Sequence, residues 1–214
     1  PLIIRSATSW ELSAIPMFVW MGEIMFRTDI SNRLFRGLSP IVHYLPGRLL
    51  HTNVIGSALF AAVSGSSAAT TATVGKITTT ELLKRNYSKS LAFGSLAGAG
   101  SLGLLIPPSI VLIVYGVLAE VSISRLFAAG VYPGILIATL YSGYIMIRCL
   151  INPSLAPTLQ EKPTYKDIAF GLINLIPITI LIIIVLGSIY SGIATPSEAA
   201  AVGVLATIVL TVLT

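Results

Sequence analysis

The sequence has few charged residues and almost no cysteine. Only 10% of its 214 residues are Asp, Glu, Lys or Arg, and 55% are apolar, whereas a soluble domain carries roughly 25% charged residues. The chain therefore lacks the polar coat that water requires, which indicates an all-α integral membrane protein. The single cysteine, Cys149, excludes an internal disulfide framework and a cysteine-rich metal site. The formal charge of +5 comes from few residues, so it informs membrane topology and does not suggest nucleic-acid binding.

Clusters of catalytic side chains are also missing. Glu23 and Glu120 lie near the ends of apolar stretches, and no Ser/His/Asp or metal-ligand constellation is visible. We interpret His43 and His51 as residues of the membrane surface rather than as catalytic groups. We therefore expect neither an enzyme nor a bound cofactor. A channel needs a continuous polar path or rings of charge, and no acidic ring is present; an ion channel and a structural helical subunit remain alternatives.

Apolar stretches separated by polar ones divide the chain into membrane segments. The sequence begins without Met and stops inside an apolar run, so we expect it to be part of a longer chain. In chain order, the predicted segments are a partial transmembrane helix (1–27), an interfacial amphipathic arm (28–48), a re-entrant hairpin (49–82, tip 64–67), a broken transmembrane helix (87–120, break 103–108), a transmembrane helix (122–150), a cytoplasmic loop (151–166), a transmembrane helix (167–191) and the start of another (195–214).

The hairpin prediction depends on length. Each apolar arm, 49–63 and 68–80, has about fifteen residues, which at ~1.5 Å per residue reach ~22 Å against a hydrocarbon core of ~30 Å. Arms this short indicate a hairpin whose tip stops near mid-membrane and whose mouth faces the cytoplasm. With that orientation most basic residues share the cytoplasmic side: Arg27, Arg33, Arg36, Arg48, Lys84, Arg85, Lys89, Arg148, Lys162 and Lys166. Arg5 and Arg125 fall on the other side, and Lys76 lies along the second arm.

Three smaller sequence features concern single elements or residues. Segment 28–48 has apolar residues at helical spacing and suits an amphipathic helix interrupted near Pro40; a polar-faced loop is the alternative. Thr195, Pro196 and Glu198 match a capping box, which gives Glu198 a structural rather than a functional explanation. Lys76 either reaches toward the cytoplasm or attracts an anionic substrate.

Two stretches interrupt the helices at membrane depth. "VSGSSAATTATVG" (63–75) places Gly65 at a turn and serines where they can cap the following helix. "SLGLLIPPS" (101–109) contains Pro107 and Pro108, which cannot donate hydrogen bonds and so free carbonyls about one turn earlier. Irregular backbone persists in a membrane only where protein buries it or where it lines a cavity. Two such interruptions are typical of secondary transporters; close helix packing by small residues is the alternative.

Four stretches resemble signatures of one family, in the family's order: "IPMFVWMGEIMF", "AVSGSSAATTATVG", "GSLGLLIPPSIVLIVYGVLAEVSISRLFAAGVYPG" and "GSIYSGIATPSEAAAVG". The family is the large membrane subunit of TRAP transporters, the DctM/SiaM type. The resemblance implies a Na⁺-driven importer of organic acids with an elevator mechanism in a bacterial inner membrane. It also implies two partners besides the lipid bilayer, namely a small membrane subunit and a periplasmic substrate-binding protein.

The resemblance also implies site residues. Oxygens for one Na⁺ site would come from Ser66, Ser67, Gly103, Ile106 and Pro108. Carboxylate recognition would rely on amides and hydroxyls, for which the candidates are Ser64, Gly65, Thr70 and Ser109. The family's large subunit is about twice as long, and its second half carries an inverted repeat with another hairpin and a "TPP" break. Because neither appears here, we expect half the substrate site and a second Na⁺ site to lie outside this sequence, and we do not expect it to transport alone.

Overall fold

The computed structural model describes residues 9–157 and 163–213, and within these ranges the chain forms helices and no strand. Short 3₁₀ turns cover Trp10–Ser13, Arg48–Leu50, Ser101–Leu104 and Pro153–Leu155. The α-helices, labelled in chain order, are α1 (Ala14–Arg27), α2 (Ile30–Val42), α3 (His51–Ser64), α4 (Ser67–Lys84), α5 (Lys89–Gly100), α6 (Ile110–Leu118), α7 (Ile123–Ile151), α8 (Tyr165–Tyr190) and α9 (Pro196–Leu213).

Three of these helices, α7, α8 and α9, are long and apolar enough to cross a membrane. Helix α7 shows why they need lipid, because Ile135, Leu136 and Leu140 are each about 60% exposed. Apolar side chains in that number on one surface would be unfavourable in water. The prediction of an all-α integral membrane fold is confirmed.

The buried apolar side chains form two clusters. The larger cluster joins α1, α2, α8 and α9 to α6 and to parts of the hairpin, which is formed by α3 and α4. It includes Phe18, Met21 and Leu181, all fully buried. The smaller joins the beginning of α3 to α5 and to the second half of α7, around Leu50 and Leu102. Helices α3 and α4 contribute to both environments, so the hairpin is held by protein on several sides.

Helix α2 corrects one prediction, because it continues through Pro40 to Val42 instead of breaking there. Its buried face packs along α8, and the two helices cross at two glycines. A Cβ added to Gly37 would lie 2.8 Å from the carbonyl oxygen of Gly171, and one added to Gly171 would lie 2.8 Å from that of Gly37. A proline inside a helix removes one backbone hydrogen bond, and we attribute the continuity of α2 to this tight packing along its length.

Some predicted features lie outside the described residues. These are the first eight residues of segment 1–27, including Arg5, residues 158–162 of the loop 151–166, including Lys162, and Thr214 at the end of segment 195–214. The membrane orientation of the hairpin and the division of the chain into segments stay predictions.

Candidate functional site

The first interruption separates α3 from α4. Helix α3 ends at Ser64, and Gly65 adopts a left-handed conformation with φ of 63° that closes the helix. Ser66 is then extended, and its side chain accepts a hydrogen bond from the amide of Ala69. Gly65 supplies a positive φ that other residues adopt at a cost, and Ser66 satisfies one of the free amides at the start of α4. The tip thus forms from local sequence signals.

The second interruption separates α5 from α6. A 3₁₀ turn over Ser101–Leu104 follows α5, and α6 begins only at Ile110; the Pro107–Pro108 peptide bond is cis. Pro107 and Pro108 have no amide hydrogen, so the carbonyls of Gly103 and Leu104 lack their usual helical donors. The hydroxyl of Ser109 donates to the Leu104 carbonyl at 2.8 Å, which satisfies one of the two oxygens.

The two interruptions are in direct contact. The amide of Ile110 donates to the carbonyl of Gly65 at 3.0 Å, and the hydroxyl of Ser67 donates to the carbonyl of Gly100 at 2.8 Å. The close approach depends on glycine, because a Cβ on Gly65 would lie 2.7 Å from the Pro108 carbonyl oxygen. Tip and break therefore form one hydrogen-bonded unit.

All five predicted Na⁺ ligands belong to the tip or to the break of this unit. A Cβ on Gly103 would lie 2.8 Å from the backbone nitrogen of Ser67 and 2.9 Å from the carbonyl carbon of Ser66, and the Pro108 carbonyl faces Gly65. The side chain of Ile106 packs against Gly134 of α7, and its predicted ligand is the backbone oxygen. Backbone and hydroxyl oxygens are the hard ligands that small alkali cations prefer. Coordination by these residues stays a prediction.

The candidate substrate-binding hydroxyls are inside the protein. Ser64, Thr70 and Ser109 are fully buried, and the hydroxyls of Ser64 and Thr70 lie 3.0 Å apart in a mutual hydrogen bond. Gly65 is also buried, whereas Ser66 at the tip is half-buried. The buried hydroxyls therefore stabilise the turn, and their contact with a substrate stays a prediction.

Sequence reasoning missed two supporting contacts. Gly22 of α1 packs against the tip, since a Cβ there would lie 2.8 Å from Cβ of Ser64. Thr71 donates to the Ser67 carbonyl at 2.8 Å, and a Cβ on Gly100 would overlap its hydroxyl. The spacing of Thr71 four residues after Ser67 was an available signal for back-bonding within a helix. No local signal links Gly22 to the tip.

Other polar candidates have structural partners. His51 is fully buried within the protein, and its Nε2 lies 2.7 Å from the Pro46 carbonyl oxygen; its predicted place near the membrane surface stays a prediction. The predicted capping box is confirmed, since the Glu198 carboxylate accepts from the Thr195 amide at 2.8 Å and the Thr195 hydroxyl accepts from the Glu198 amide at 3.4 Å. The described residues contain no group of three His, Cys, Asp or Glu side chains suited to a metal ion.

Two apposed helix interruptions in an all-α membrane protein are typical of secondary transporters. The family model described as "Tripartite ATP-independent periplasmic transporter, DctM component" matches residues 2–214, and the chain belongs to this family. The predicted family is therefore confirmed, and its members are transporter subunits rather than enzymes.

Curated relatives agree with this assignment. The C4-dicarboxylate TRAP transporter large permease protein DctM of Vibrio cholerae is 36% identical over 92% of this chain and 43% of its own length. The ectoine/5-hydroxyectoine large permease protein UehC of Ruegeria pomeroyi is 35% identical over 95% of this chain and 47% of its own. The sialic acid TRAP transporter large permease protein SiaM of V. cholerae is 33% identical over 91% of this chain and 45% of its own length. The chain spans about half the length of the curated relatives it matches.

Proposed function

We propose that this chain is part of the large membrane subunit of a Na⁺-coupled TRAP transporter in a bacterial inner membrane, with the hairpin mouth toward the cytoplasm. The complete subunit imports organic acids delivered by a periplasmic substrate-binding protein, together with a small membrane subunit. The observation that supports this proposal most directly is the hydrogen bond between the Ile110 amide and the Gly65 carbonyl, because it joins two interrupted segments at one place.

The polarity of the helix ends explains how one site serves a cation and an anion. Carbonyls at the end of α3 carry partial negative charge, and amides at the start of α4 carry partial positive charge. Na⁺ would bind among backbone and hydroxyl oxygens of the tip and the break, where Gly103 approaches Ser66 and Ser67 and the Pro108 carbonyl faces Gly65. A carboxylate would bind on the amide side. A bound cation beside a bound anion lowers the electrostatic cost of each, which couples their binding.

The substrate class follows from the relatives' names. Proteins named for C4-dicarboxylates and for sialic acid are both about one third identical to this chain, and both substrates carry carboxylates. Recognition by Ser64, Gly65, Thr70 and Ser109 requires the site to open, because Ser64 and Thr70 now bond to each other. If these hydroxyls instead donated to a substrate carboxylate, the bond between Ser64 and Thr70 would break, and substrate binding would be linked to a conformational change at the tip.

The elevator mechanism requires the tip and the break to move together. The bonds from Ile110 to Gly65 and from Ser67 to Gly100 cross between the two interrupted segments. A displacement of α3 and α4 would therefore carry α5 and α6 with it, and the ion site would keep its geometry during the movement.

Uptake by the full-length subunit with both partners in proteoliposomes tests the proposal. We expect uptake of an organic acid only with an inward Na⁺ gradient. Uptake of equal rate without the gradient would contradict Na⁺ coupling, and a Na⁺ conductance that needs no binding protein would favour a channel.

Replacement of Ser66 and Ser67 by valine tests the site itself. A hydrogen bond or ligand contact to a charged group is worth about 1.5–3 kcal/mol, so we expect the Na⁺ concentration for half-maximal uptake to rise about tenfold or more. Thr139→Val is the matched control, because its hydroxyl bonds only carbonyls of its own helix, at 3.0 and 2.7 Å. An unchanged Na⁺ dependence in the double variant would leave the two serines with a packing role.

A further inference from the structure

A cavity of about 990 Å³ lies between α2, the second half of α4 and the beginning of α8. Arg36 contributes from α2, Lys76 from α4 and Phe170 from α8. Lys76 is about ten residues along α4 from the hairpin tip, which is ~15 Å at the rise of a helix. The cavity is therefore separate from the apposed interruptions and has no place in the proposed ion site.

The charges around this cavity do not cancel. Among its lining carboxylates, Glu81 lies 3.4 Å from Nε of Arg85 and 3.7 Å from the ammonium of Lys84, and Asp167 accepts a hydrogen bond from the Thr164 amide at 2.7 Å. Arg36 and Lys76 are exposed, and neither forms an ion pair with another residue in the described ranges 9–157 and 163–213. The Lys76 ammonium lies 5.0 Å from the centroid of the Phe26 ring, a contact that leaves its charge in place. The lining holds three cationic side chains, Arg36, Lys76 and Arg85, and two carboxylates, Glu81 and Asp167, so one positive charge remains that an anion can neutralise.

The shape and lining indicate the kind of anion. Phe35, Ile77 and Phe170 line the cavity beside the cations, and Phe170 is 64% exposed near the start of the membrane-spanning helix α8. Cations next to aromatic and apolar side chains at a span's end match the boundary between lipid headgroups and acyl chains. A volume near 1,000 Å³ is at the upper end of sites for organic ligands, which is spacious for a free phosphate and suits a headgroup with its glycerol.

We propose that this cavity binds the phosphate headgroup of an anionic phospholipid. Arg36 and Lys76 hold the phosphate, and Phe35 and Phe170 contact the glycerol and the first carbons of the acyl chains. Basic pockets between helices near a membrane surface recognise anionic lipids by this combination. Because α2 and α4 both line the cavity, the bound lipid bridges the helix that packs on α8 to the hairpin.

Lipid retention by the full-length protein tests this site. The protein is reconstituted in phosphatidylcholine bilayers that contain increasing fractions of phosphatidylglycerol, and bound phosphatidylglycerol is measured by native mass spectrometry. Each Lys or Arg near a membrane surface contributes about 1 kcal/mol to the binding of anionic lipid, so Arg36→Gln with Lys76→Gln is expected to weaken retention about thirtyfold. Arg36→Lys with Lys76→Arg conserves the charge and is expected to retain the lipid.

A matched control removes the same charge elsewhere. Lys89→Gln with Arg125→Gln also removes two exposed cations, neither of which lines the cavity, and retention should stay as in the unchanged protein. Equal retention in the Arg36/Lys76 double glutamine variant would overturn the proposal, as would no retention by the unchanged protein. Displacement of phosphatidylglycerol by millimolar inorganic phosphate would also overturn it, because the site would then serve a small free anion.

Discussion

Replacement of Gly65 by alanine is the sharpest test of the apposed interruptions. Gly65 has a φ of 63° and accepts a hydrogen bond from the Ile110 amide through its carbonyl. A Cβ at this position would lie 2.7 Å from the carbonyl oxygen of Pro108, which belongs to the backbone and cannot rotate away. Alanine must therefore push the tip and the break apart or unwind the turn.

The expected cost is the sum of two effects. A left-handed conformation costs an L-residue about 1–2 kcal/mol, and overpacking of a tight contact costs about 1–3 kcal/mol. We therefore expect Gly65→Ala to lower the free energy of unfolding by about 3 kcal/mol. The displaced tip should also weaken Na⁺ binding, so the rise in thermal stability that Na⁺ produces should be lost in the full-length protein.

Two other glycines separate these effects. Gly192 has a φ of 74° and no atom within 4 Å of an added Cβ, and Gly94 is helical with the same open surroundings. Gly192→Ala should show only the cost of about 1–2 kcal/mol from the left-handed backbone, while Gly94→Ala should be neutral or stabilise by up to about 1 kcal/mol. Unfolding of detergent-solubilised full-length protein measures all three. If Gly65→Ala and Gly192→Ala cost the same, with Na⁺ stabilisation intact, the contact between tip and break would have no energetic role.

Further substitutions test the capping box and the helix crossing. Thr195→Ala removes the hydroxyl that accepts from the Glu198 amide, so we expect the free energy of unfolding to fall by about 1 kcal/mol. Thr195→Ser keeps a hydroxyl and should retain most of that stability. An alanine variant as stable as the unchanged protein would contradict the capping role of Thr195. Gly37→Ala places a Cβ 2.8 Å from the Gly171 carbonyl oxygen and should cost about 1–3 kcal/mol, whereas Gly143→Ala has open space and should not destabilise. Equal melting temperatures for these two glycine variants would contradict the tight crossing.

The position of the helix interruptions could be predicted from the sequence. Gly65 between serines and the pair Pro107–Pro108 carry their effects in their own chemistry, namely a permitted positive φ and two missing amide donors. Helix α3 accordingly ends at Ser64, and α6 starts at Ile110. The capping box at Thr195 was predictable for the same reason, because its partners are three residues apart.

Effects that depend on packing were not predictable in this way. Pro40 indicated an interruption, yet α2 continues to Val42 while it packs on α8. The full burial of His51 and its contact with the Pro46 carbonyl also had no signal in the sequence. In both places the surroundings come from distant parts of the chain or from backbone groups, which leave no pattern in the local residues.

The sequence by itself determined the membrane environment, the helical class and the two places where helices stop, since each depends on composition or on the backbone chemistry of glycine and proline. Only the tertiary structure decided that these places meet. The bond from Ile110 to Gly65 joins two backbone groups, and every residue except proline carries the same amide and carbonyl. The spatial arrangement of helices alone therefore selects which of them pair.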